Sequence, residues 1–523
     1  MLPTLWKAWK ITHLVFEKDT AGYSAIRDKQ IKDLATEAKI EVLEVLGHTL
    51  YDPEAVVKAH GGKATMSAAA WHSAAQKLPE PVRPSPAPNV IPPPGNISLP
   101  EFSYFEDRPV DLNIETRVSH ITVYNTIAGP NGDFATPTME ELGLPEASTS
   151  IKGGETEALR RLTAYCADRE RVATFAKPKT SPAAFDPPET TLLSPYLKFG
   201  CLGSREFLWR VRDTITAWKQ SGKGGDSTAK ETHPPENLEG QLLFREMYYA
   251  AECAQGLSFA QNVYDKDGRR VLPRPRGDDL SEERFEAWKF GRTGFPWIDA
   301  IMRQLRLEGW IHHLARHSVA CFLTRGQCYI SWERGAEVFD EWLIDWDPCA
   351  NPGNWMWLSC SAFFAQYYRV YGTVSFPTKY DKTGLLVRKF CPELAKFPDK
   401  YIYAPHLAPL QIQKEAGCVI GIDYPRPMLD EKLEKERCIL RLKVAYKQGL
   451  FGSHKSVVDG SASKLLKDSY KAQLDALDNK AQTIDLGLQG EGTRKRKAGD
   501  SDAVGGGSSK TAKMGSIDAY FSK

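Results

Sequence analysis

The stretch from residue 155 to about 450 constrains the fold most, because it repeats helical patterns and carries no comparable series of strands. The predicted helices are Glu155–Ala173, Leu238–Glu252, Trp297–Leu307, Trp310–Thr324, Ala336–Leu343 and Lys432–Tyr446. We therefore predict one large all-α domain over residues 155–455.

The first 76 residues follow a different pattern. His13–Phe16 and Glu41–Leu46 are strand-like, and a helical stretch near Ile26–Ala38 lies between them. Two strands with an intervening helix make one β–α–β unit, but a parallel sheet needs more strands to bury both faces. We predict an incomplete α/β, Rossmann-like domain over residues 1–76, which makes the whole chain α+β.

Two segments are predicted to carry no domain of their own. From Pro79 to Pro100, nine of 22 residues are proline, which cannot supply ladder hydrogen bonds and favours extended backbone. We predict a linker over residues 77–154. Gly, Ser, Lys and Asp dominate residues 456–523, where we predict a disordered tail.

Composition limits the classes of function. The 68 basic and 66 acidic residues nearly cancel to a net charge of +2, so a DNA-binding surface would have to be a local patch. The sequence lacks the run of about 18 apolar residues that a membrane helix needs. Ten scattered cysteines without a CxxC pair are typical of an intracellular protein with reduced thiols.

His313 and His317 form a candidate catalytic pair. They lie four positions apart, so both project from one face of a helix. Leu314 stands where a metalloprotease needs Glu, and no Cys or acidic residue nearby in sequence completes a metal shell, so we predict no metal. Paired imidazoles could instead exchange protons with a bound substrate. Two hydrogen-bonded core histidines are the alternative interpretation.

Asp345 and Asp347, followed by Asn351, form a second cluster in a segment broken by Pro and Gly. Buried carboxylates need cationic or hydrogen-bonding partners, and Arg245 on a predicted helix is a candidate donor. Solvated loop acids are the alternative.

Clustered hydroxyls over residues 190–194 precede a predicted helix start. Hydroxyls and free backbone N–H groups at such a start suit a phosphate. Ordinary capping by Ser194, with Pro195 at the first helical position, explains the same residues without a ligand.

Four long segments resemble, in order, the flavin-binding helical domain of the photolyase/cryptochrome family. They read TLLSPYLKFGCL, NLEGQLLFREMYY, GRTGFPWIDAIMRQLRLEGWIHHLARHSVACFLTRG and NPGNWMWLSCSAFF. The similarity covers residues 155 to about 450 and is greatest to eukaryotic (6-4) photolyases and animal-type cryptochromes. It implies an FAD enzyme, a lyase, that uses blue light to repair (6-4) lesions in DNA. The alternative that it implies is a cryptochrome-type light or circadian signalling protein without repair activity.

The resemblance assigns a role to each cluster. Arg245 would pair with Asp345, Asp345 and Asp347 would fix the polar edge of the flavin, and Asn351 would lie beside its N5. The residues implied to hold FAD are Lys177, Thr190, Thr191, Leu192, Leu193, Ser194, Gln241, Arg245, His313, Asp345, Trp346, Asp347 and Asn351. His313 and His317 would return a proton to the lesion while excited reduced flavin supplies and recovers an electron.

The resemblance also implies a lesion pocket and an electron-transfer chain. The residues that would line or flank the lesion are Phe244, Trp357, Arg369, Tyr371 and Lys379. At the position of Phe244 the repair enzymes usually carry Trp, so one stacking surface is smaller here.

Trp355 and Trp332 match the inner and middle members of the electron-transfer chain. The outer Trp is expected shortly before Trp288, but residues 265–287 contain none and Arg276 lies in this stretch. Tyr264 or another aromatic residue is the candidate substitute. We expect photoreduction to be slow or rerouted, whereas repair by pre-reduced flavin survives.

The N-terminus departs from the family. Leu2–Gly62 matches only the later part of the α/β domain, so roughly the first 80 residues of a typical domain would be absent. A shortened gene model or a truncated isoform would explain this. The incomplete domain makes the binding of an antenna chromophore doubtful.

The tail carries two short motifs. The basic run Arg494–Lys497 suits nuclear import. Ile517, three positions before Tyr520 and Phe521, resembles the peptide that docks on the replication sliding clamp, although Met514 replaces the usual Gln. The alternative is that this apolar C-terminal segment has no binding function. We expect UV-damaged DNA and the clamp as partners, no membrane, and a monomer.

Overall fold

A computed structural model of the chain describes residues 2–90, 151–221, 230–260, 279–450 and 454–459, with isolated positions among residues 143–149 and 461–476. The predicted substitute Tyr264, Arg276 and both tail motifs lie outside the described residues. The described residues fall into two compact units. One contains the chain up to Phe16, Asp28–Glu44 and the described residues among positions 86–152. The other contains residues 17–27, residues 45–85 and the chain from residue 153 onward.

The N-terminal elements form the predicted β–α–β unit. In order they are α1 (Leu2–Ala8), β1 (His13–Glu17), α2 (Gly22–Glu37) and β2 (Glu41–Val45). The Glu41 amide donates to the Thr12 carbonyl at 3.0 Å and the Lys18 amide donates to the Val45 carbonyl at 2.9 Å, so the two strands run parallel. In the first unit a small core buries Trp6, Ala35 and Ile40. The predicted combination of a small α/β part and a large helical part is confirmed.

The second unit is helical. Its helices are α3 (Pro53–Ala59), α4 (Ala68–Ala75), α5 (Glu155–Ala167), α6 (Arg169–Thr174), α7 (Ser194–Lys198), α8 (Ser204–Gln220), α9 (Leu238–Gln255), α10 (Asp279–Lys289), α11 (Pro296–Glu308), α12 (His313–Cys321), α13 (Trp332–Trp342), α14 (Ala350–Leu358), α15 (Ser375–Tyr380), α16 (Leu385–Phe390), α17 (Leu410–Ala416), α18 (Glu431–Gln448) and α19 (Lys455–Val458). A π-helical turn, Phe322–Gly326, extends α12. Within the described ranges, no helix combines the length and apolar character that crossing a bilayer requires.

Local chemistry explains where several helices begin and end. The Asn237 side chain accepts from the Gly240 amide at 2.8 Å and starts α9. Gly309 ends α11 with a φ of 65°, a left-handed conformation that glycine adopts without steric cost. The predicted single helix Glu155–Ala173 is wrong, because Asp168 leaves the helical conformation and caps α6 by accepting from the Arg171 amide at 3.0 Å.

Two glycines allow the central helices to approach closely. A Cβ atom at Gly335 would lie 2.2 Å from Trp355, and one at Gly353 would lie 2.3 Å from Tyr248. The Gly335 contact joins α13 to α14, and the Gly353 contact joins α14 to α9. These three helices carry many of the predicted site residues, so their close packing positions the site.

Candidate functional site

The second unit contains a cavity of about 340 Å³ at the predicted site. All thirteen residues implied to hold the cofactor line it, together with His317, Phe244 and Trp355. The predicted residues that do not line it are Trp332, Trp357, Arg369, Tyr371 and Lys379. Segments far apart in sequence therefore meet at one concave surface, and its volume lies in the range of ordinary ligand pockets.

The loop before α7 forms one wall of the cavity. Leu192 has a φ of 53°, a left-handed backbone that is unusual for a branched side chain. The Thr191 hydroxyl accepts from the Leu193 amide at 3.3 Å. The Ser194 hydroxyl accepts from the Trp310 indole N–H at 3.2 Å, and α7 begins without a side-chain cap. The alternative in which Ser194 serves only as the helix cap is therefore wrong.

Asp345 pairs with a residue that the sequence analysis missed. Arg316 Nη2 lies 3.0 Å from Asp345 Oδ1 and 2.8 Å from Oδ2. The expected pair between Arg245 and Asp345 is wrong, because Arg245 instead donates to the His48 carbonyl and the Tyr249 hydroxyl, both at 3.0 Å. Arg316 follows His313 by three positions on α12, so both side chains project from one face of the helix. This spacing could have indicated from the sequence that Arg316 belongs to the site.

Asp347 lies at the centre of a buried hydrogen-bond network. Its carboxylate accepts from the amides of Cys349 at 2.9 Å and Ala350 at 2.7 Å, and from the Tyr249 hydroxyl. His48 Nε2 lies 2.5 Å from the same hydroxyl. Burial acts to raise the pKa of Asp347, but the hydrogen bond from His48 and the charge of Arg245 hold it below the usual range. Asp347 therefore remains a carboxylate.

His312 is a hydrogen-bonded structural histidine, the role given above as the alternative interpretation of His313 and His317. Its Nδ1 accepts from the Leu314 amide at 3.1 Å, and its Nε2 lies 3.0 Å from the Thr180 hydroxyl. Both ring nitrogens are therefore occupied, and His312 caps the start of α12.

His313 and His317 face the cavity with their rings 6.0 Å apart. Burial, together with nearby positive groups that include Lys177, lowers the pKa of both imidazoles well below the usual value. His313 Nε2 is buried and has no hydrogen-bond partner among the described residues. The Tyr371 hydroxyl lies 3.3 Å from His317 Nδ1, and because burial raises the pKa of Tyr371 to about 12, that hydroxyl retains its proton. The structure therefore presents two neutral imidazoles.

Aromatic side chains surround His317. Trp357 lies with its ring centroid 5.4 Å from that of His317, and Phe244 lies 6.3 Å from Trp357 at nearly a right angle. Arg369 and Lys379 carry exposed side chains. Three of the five predicted lesion residues, Phe244, Trp357 and Tyr371, therefore cluster beside the histidine pair.

The two predicted electron-transfer tryptophans are both buried, with 1% exposed. Trp355 lines the cavity. The ring of Trp288 lies 6.2 Å from that of Trp355, and Phe285 stacks on Trp288 at 6.0 Å. An aromatic path therefore leads from the cavity through Trp288, which the sequence analysis used only as a landmark.

Lys177 supplies the clearest sign that the cavity binds an anion. No carboxylate in the described part of the chain pairs with this ammonium, and burial lowers its pKa to about 8. Burying a charged ammonium away from water without a counter-charge raises the free energy of the folded protein, unless a bound ligand brings the opposite charge. The unpartnered His313 Nε2 and the open cavity add a polar contact and space, so these residues fit an anionic, ring-containing cofactor such as FAD.

Comparison with known proteins agrees with this geometry. Residues 238–444 match the FAD binding domain of DNA photolyase, and residues 1–89 match the DNA photolyase family. A (6-4)DNA photolyase of Oryza sativa is 42% identical over 84% of this chain and 72% of its own length. Cryptochrome-1 of Macaca fascicularis is 38% identical over 86% of this chain and 70% of its own length.

Solved structures share the fold. A class III photolyase from Agrobacterium tumefaciens superposes with a TM-score of 0.64 at 24% identity, covering 85% of this chain and 82% of its own. A Synechocystis cryptochrome gives a TM-score of 0.65 at 24% identity, covering 84% of this chain and 81% of its own. The chain belongs to the photolyase/cryptochrome family, and its cofactor is FAD.

Proposed function

We propose that this protein repairs (6-4) photoproducts in DNA with blue light. The observation that carries the proposal is the pair of neutral imidazoles, His313 and His317, held between the FAD cavity and an aromatic group. The (6-4)DNA photolyases of Oryza sativa and Arabidopsis thaliana, 42% and 39% identical, support the choice of reaction.

The chain's own residues would hold FAD by charge and by shape. Lys177 offers an unpaired cation, and the hydroxyls of Thr190 and Ser194 line the same wall. Asp345 and Asp347 provide fixed carboxylates that can accept hydrogen bonds from donors of the ring. When bound, reduced FAD supplies a photoexcited electron to the lesion and takes it back.

His313 and His317 would supply and recover the proton that the repair reaction needs. Reversal of a (6-4) product returns an oxygen and a proton from one base to the other, so a group beside the lesion must give a proton and recover it. The Tyr371 hydroxyl holds the His317 ring through Nδ1, and a hydroxyl can donate to a bare Nδ1 or accept from Nδ1–H, so this contact serves either tautomer of neutral His317. His313 Nε2 is left without a protein partner and can hold or pass a proton. The aromatic group suits a base flipped out of the stack.

Cryptochrome signalling without repair is the second candidate. It is favoured by cryptochromes that are 38% identical over 86% of this chain. Both candidates use the same FAD cavity, so activity on a lesion is the property that separates them.

The test is repair of an oligonucleotide with one (6-4) lesion by the full chain under blue light. Chemical reduction of the flavin removes any dependence on the electron-transfer chain, and bound FAD is quantified in the same sample. Light-dependent repair, absent in the dark, supports the proposal. Full FAD occupancy without repair would favour signalling.

We further propose that the protein acts in the nucleus, with the cytoplasm as the alternative, and docks on the sliding clamp. The support is the basic run Arg494–Lys497 and the apolar end with Ile517, Tyr520 and Phe521. A Tyr520→Ala, Phe521→Ala double change should abolish binding of the tail peptide to the clamp in a fluorescence anisotropy titration. Undetectable binding of the unchanged tail peptide to the clamp would contradict the proposed docking.

A further inference from the structure

Asn351 lines the FAD cavity, and its amide nitrogen is fully engaged on the side away from it. Asn351 Nδ2 donates to the Ala336 carbonyl at 3.1 Å and to Asp340 Oδ1 at 2.5 Å. Both partners belong to α13, and Asn351 is only 8% exposed. Two N–H groups therefore meet two acceptors.

These contacts determine which way the amide points. A backbone carbonyl accepts only, and so does an ionised carboxylate, so the side facing α13 must be the NH₂ group. Asn351 Oδ1 accepts from no described residue and is not among the buried polar atoms without a partner. The carbonyl oxygen of Asn351 is thus the atom left to face the cavity.

This orientation matters for a flavin. Two-electron reduction adds at least one N–H donor to the ring system, with electrons from the reductant and the proton from water. An acceptor facing the ring gains a hydrogen bond in the reduced state, whereas an NH₂ group would meet a donor. A fixed carbonyl therefore favours reduced FAD.

We propose that Asp340 is a positioning residue that fixes the Asn351 amide with its oxygen toward the flavin and thereby favours the reduced cofactor. Asp340 acts through Asn351, because its Oδ1 accepts from the amide nitrogen and the residue does not line the cavity; its carboxylate also interacts with the Trp346 side chain. The proposal deepens the proposed function but rests only on the binding of FAD. It can hold or fail independently of repair.

The experiment is a reductive titration of the purified full-length holoprotein without DNA, with a reference dye to report the flavin midpoint potential. In Asp340→Leu the Asn351 amide keeps only its hydrogen bond to the Ala336 carbonyl, so it is held less firmly and can turn more easily. The equilibrium constant for two-electron reduction should fall about tenfold, which is a midpoint about 30 mV lower. Asp340→Asn keeps a side-chain carbonyl that can accept from Asn351 Nδ2, so most of the potential should be retained.

The sign of the change in midpoint potential distinguishes the effect of Asp340 on the orientation of Asn351 from the effect of its negative charge. Removing a negative charge near the flavin favours reduction and raises the potential, whereas turning the amide lowers it. Glu341→Gln removes the same charge from the same helix at an exposed side chain and should leave the potential unchanged. In an Asn351→Ala background, Asp340→Leu should have no further effect.

An unchanged or raised midpoint potential in Asp340→Leu would overturn the proposal. So would a double variant, Asp340→Leu with Asn351→Ala, whose potential lies as far below that of Asn351→Ala as Asp340→Leu lies below the unchanged protein. If Asp340→Leu fails to retain FAD, Asp340→Ala, which only removes atoms, must show the same lowered potential. Absence of repair in a protein that shows the shift would reject the proposed function and leave this inference standing.

Discussion

Asp345 is held at the scale of single residues by Arg316, whose Nη2 lies within 3.0 Å of both carboxylate oxygens. Only 4% of the Asp345 side chain and 24% of the Arg316 side chain are exposed, so the pair is largely removed from solvent. Removing one member of such a pair leaves the other uncompensated, which costs more than the pair itself contributes.

Arg316→Met should lower the free energy of unfolding by about 3 kcal/mol, because it leaves Asp345 buried without its cation. Urea denaturation monitored by far-UV circular dichroism measures the change. Arg306→Met removes a cation from an exposed position on the neighbouring helix α11 and serves as the control. Equal stability of the two variants would show that the pair is not required.

Lys177 should make FAD binding dependent on pH. Its pKa is lowered to about 8 by burial, and an anion favours the charged form. Affinity should be constant below pH 8 and fall as the pH rises above it, by up to tenfold per pH unit, because binding must then be accompanied by proton uptake. Titration of the apoprotein, followed by quenching of FAD fluorescence, measures the slope.

Lys177→Met is the matched variant for this slope. It should bind FAD more weakly at pH 7 and lose the decline above pH 8. A decline of the same size in Lys177→Met would assign the pH dependence to another group.

Single residues also show what the sequence could predict. The residues implied to hold FAD line one cavity because the resemblance supplied their long-range order. His48 and Tyr249 were missed, since they lie 201 positions apart and their hydrogen bond leaves no local pattern. Arg245 was wrongly paired with Asp345 for the same reason, because its partners are the His48 carbonyl and the Tyr249 hydroxyl.

At the scale of elements, periodicity located the helices but side-chain chemistry set their ends. The predicted helix Trp310–Thr324 begins instead at His313, because His312 turns out of the helix and caps it. Its C-terminal part becomes a π-helical turn, Phe322–Gly326, in which Cys328 and Gln327 both donate to the Phe322 carbonyl. Hydrophobic spacing cannot predict either feature, since both depend on hydrogen bonds rather than on which face is apolar.

Gly335→Ala tests the packing between α13 and α14. The new Cβ would lie 2.2 Å from the Trp355 ring and force this ring or the helix to move. We expect a loss of about 1–3 kcal/mol in the free energy of unfolding, as for other overpacked cores. Chemical denaturation measures it. Gly203→Ala, where a Cβ has open space, should change stability far less, and similar losses in both variants would contradict the account.

At the scale of the whole molecule, the net charge of +2 conceals a local imbalance. Four cations line the cavity, Lys177, Lys198, Arg245 and Arg316, but only two carboxylates do, Asp345 and Asp347. The lining therefore carries two positive charges in excess before FAD binds. Composition could not reveal this excess, because it arises from segments between residues 177 and 347 that only the fold brings together.

The central claim is that the neutral histidine pair beside the FAD cavity carries the proton in repair. The most direct measurement is the rate of (6-4) repair per bound FAD in His313→Ala, with flavin chemically reduced under blue light. General acid–base catalysis contributes about 10²–10⁴-fold, so we predict a loss of at least about 100-fold with FAD retained. The exposed His406→Ala should repair at the unchanged rate. Repair by His313→Ala at the rate of the unchanged protein would contradict the account.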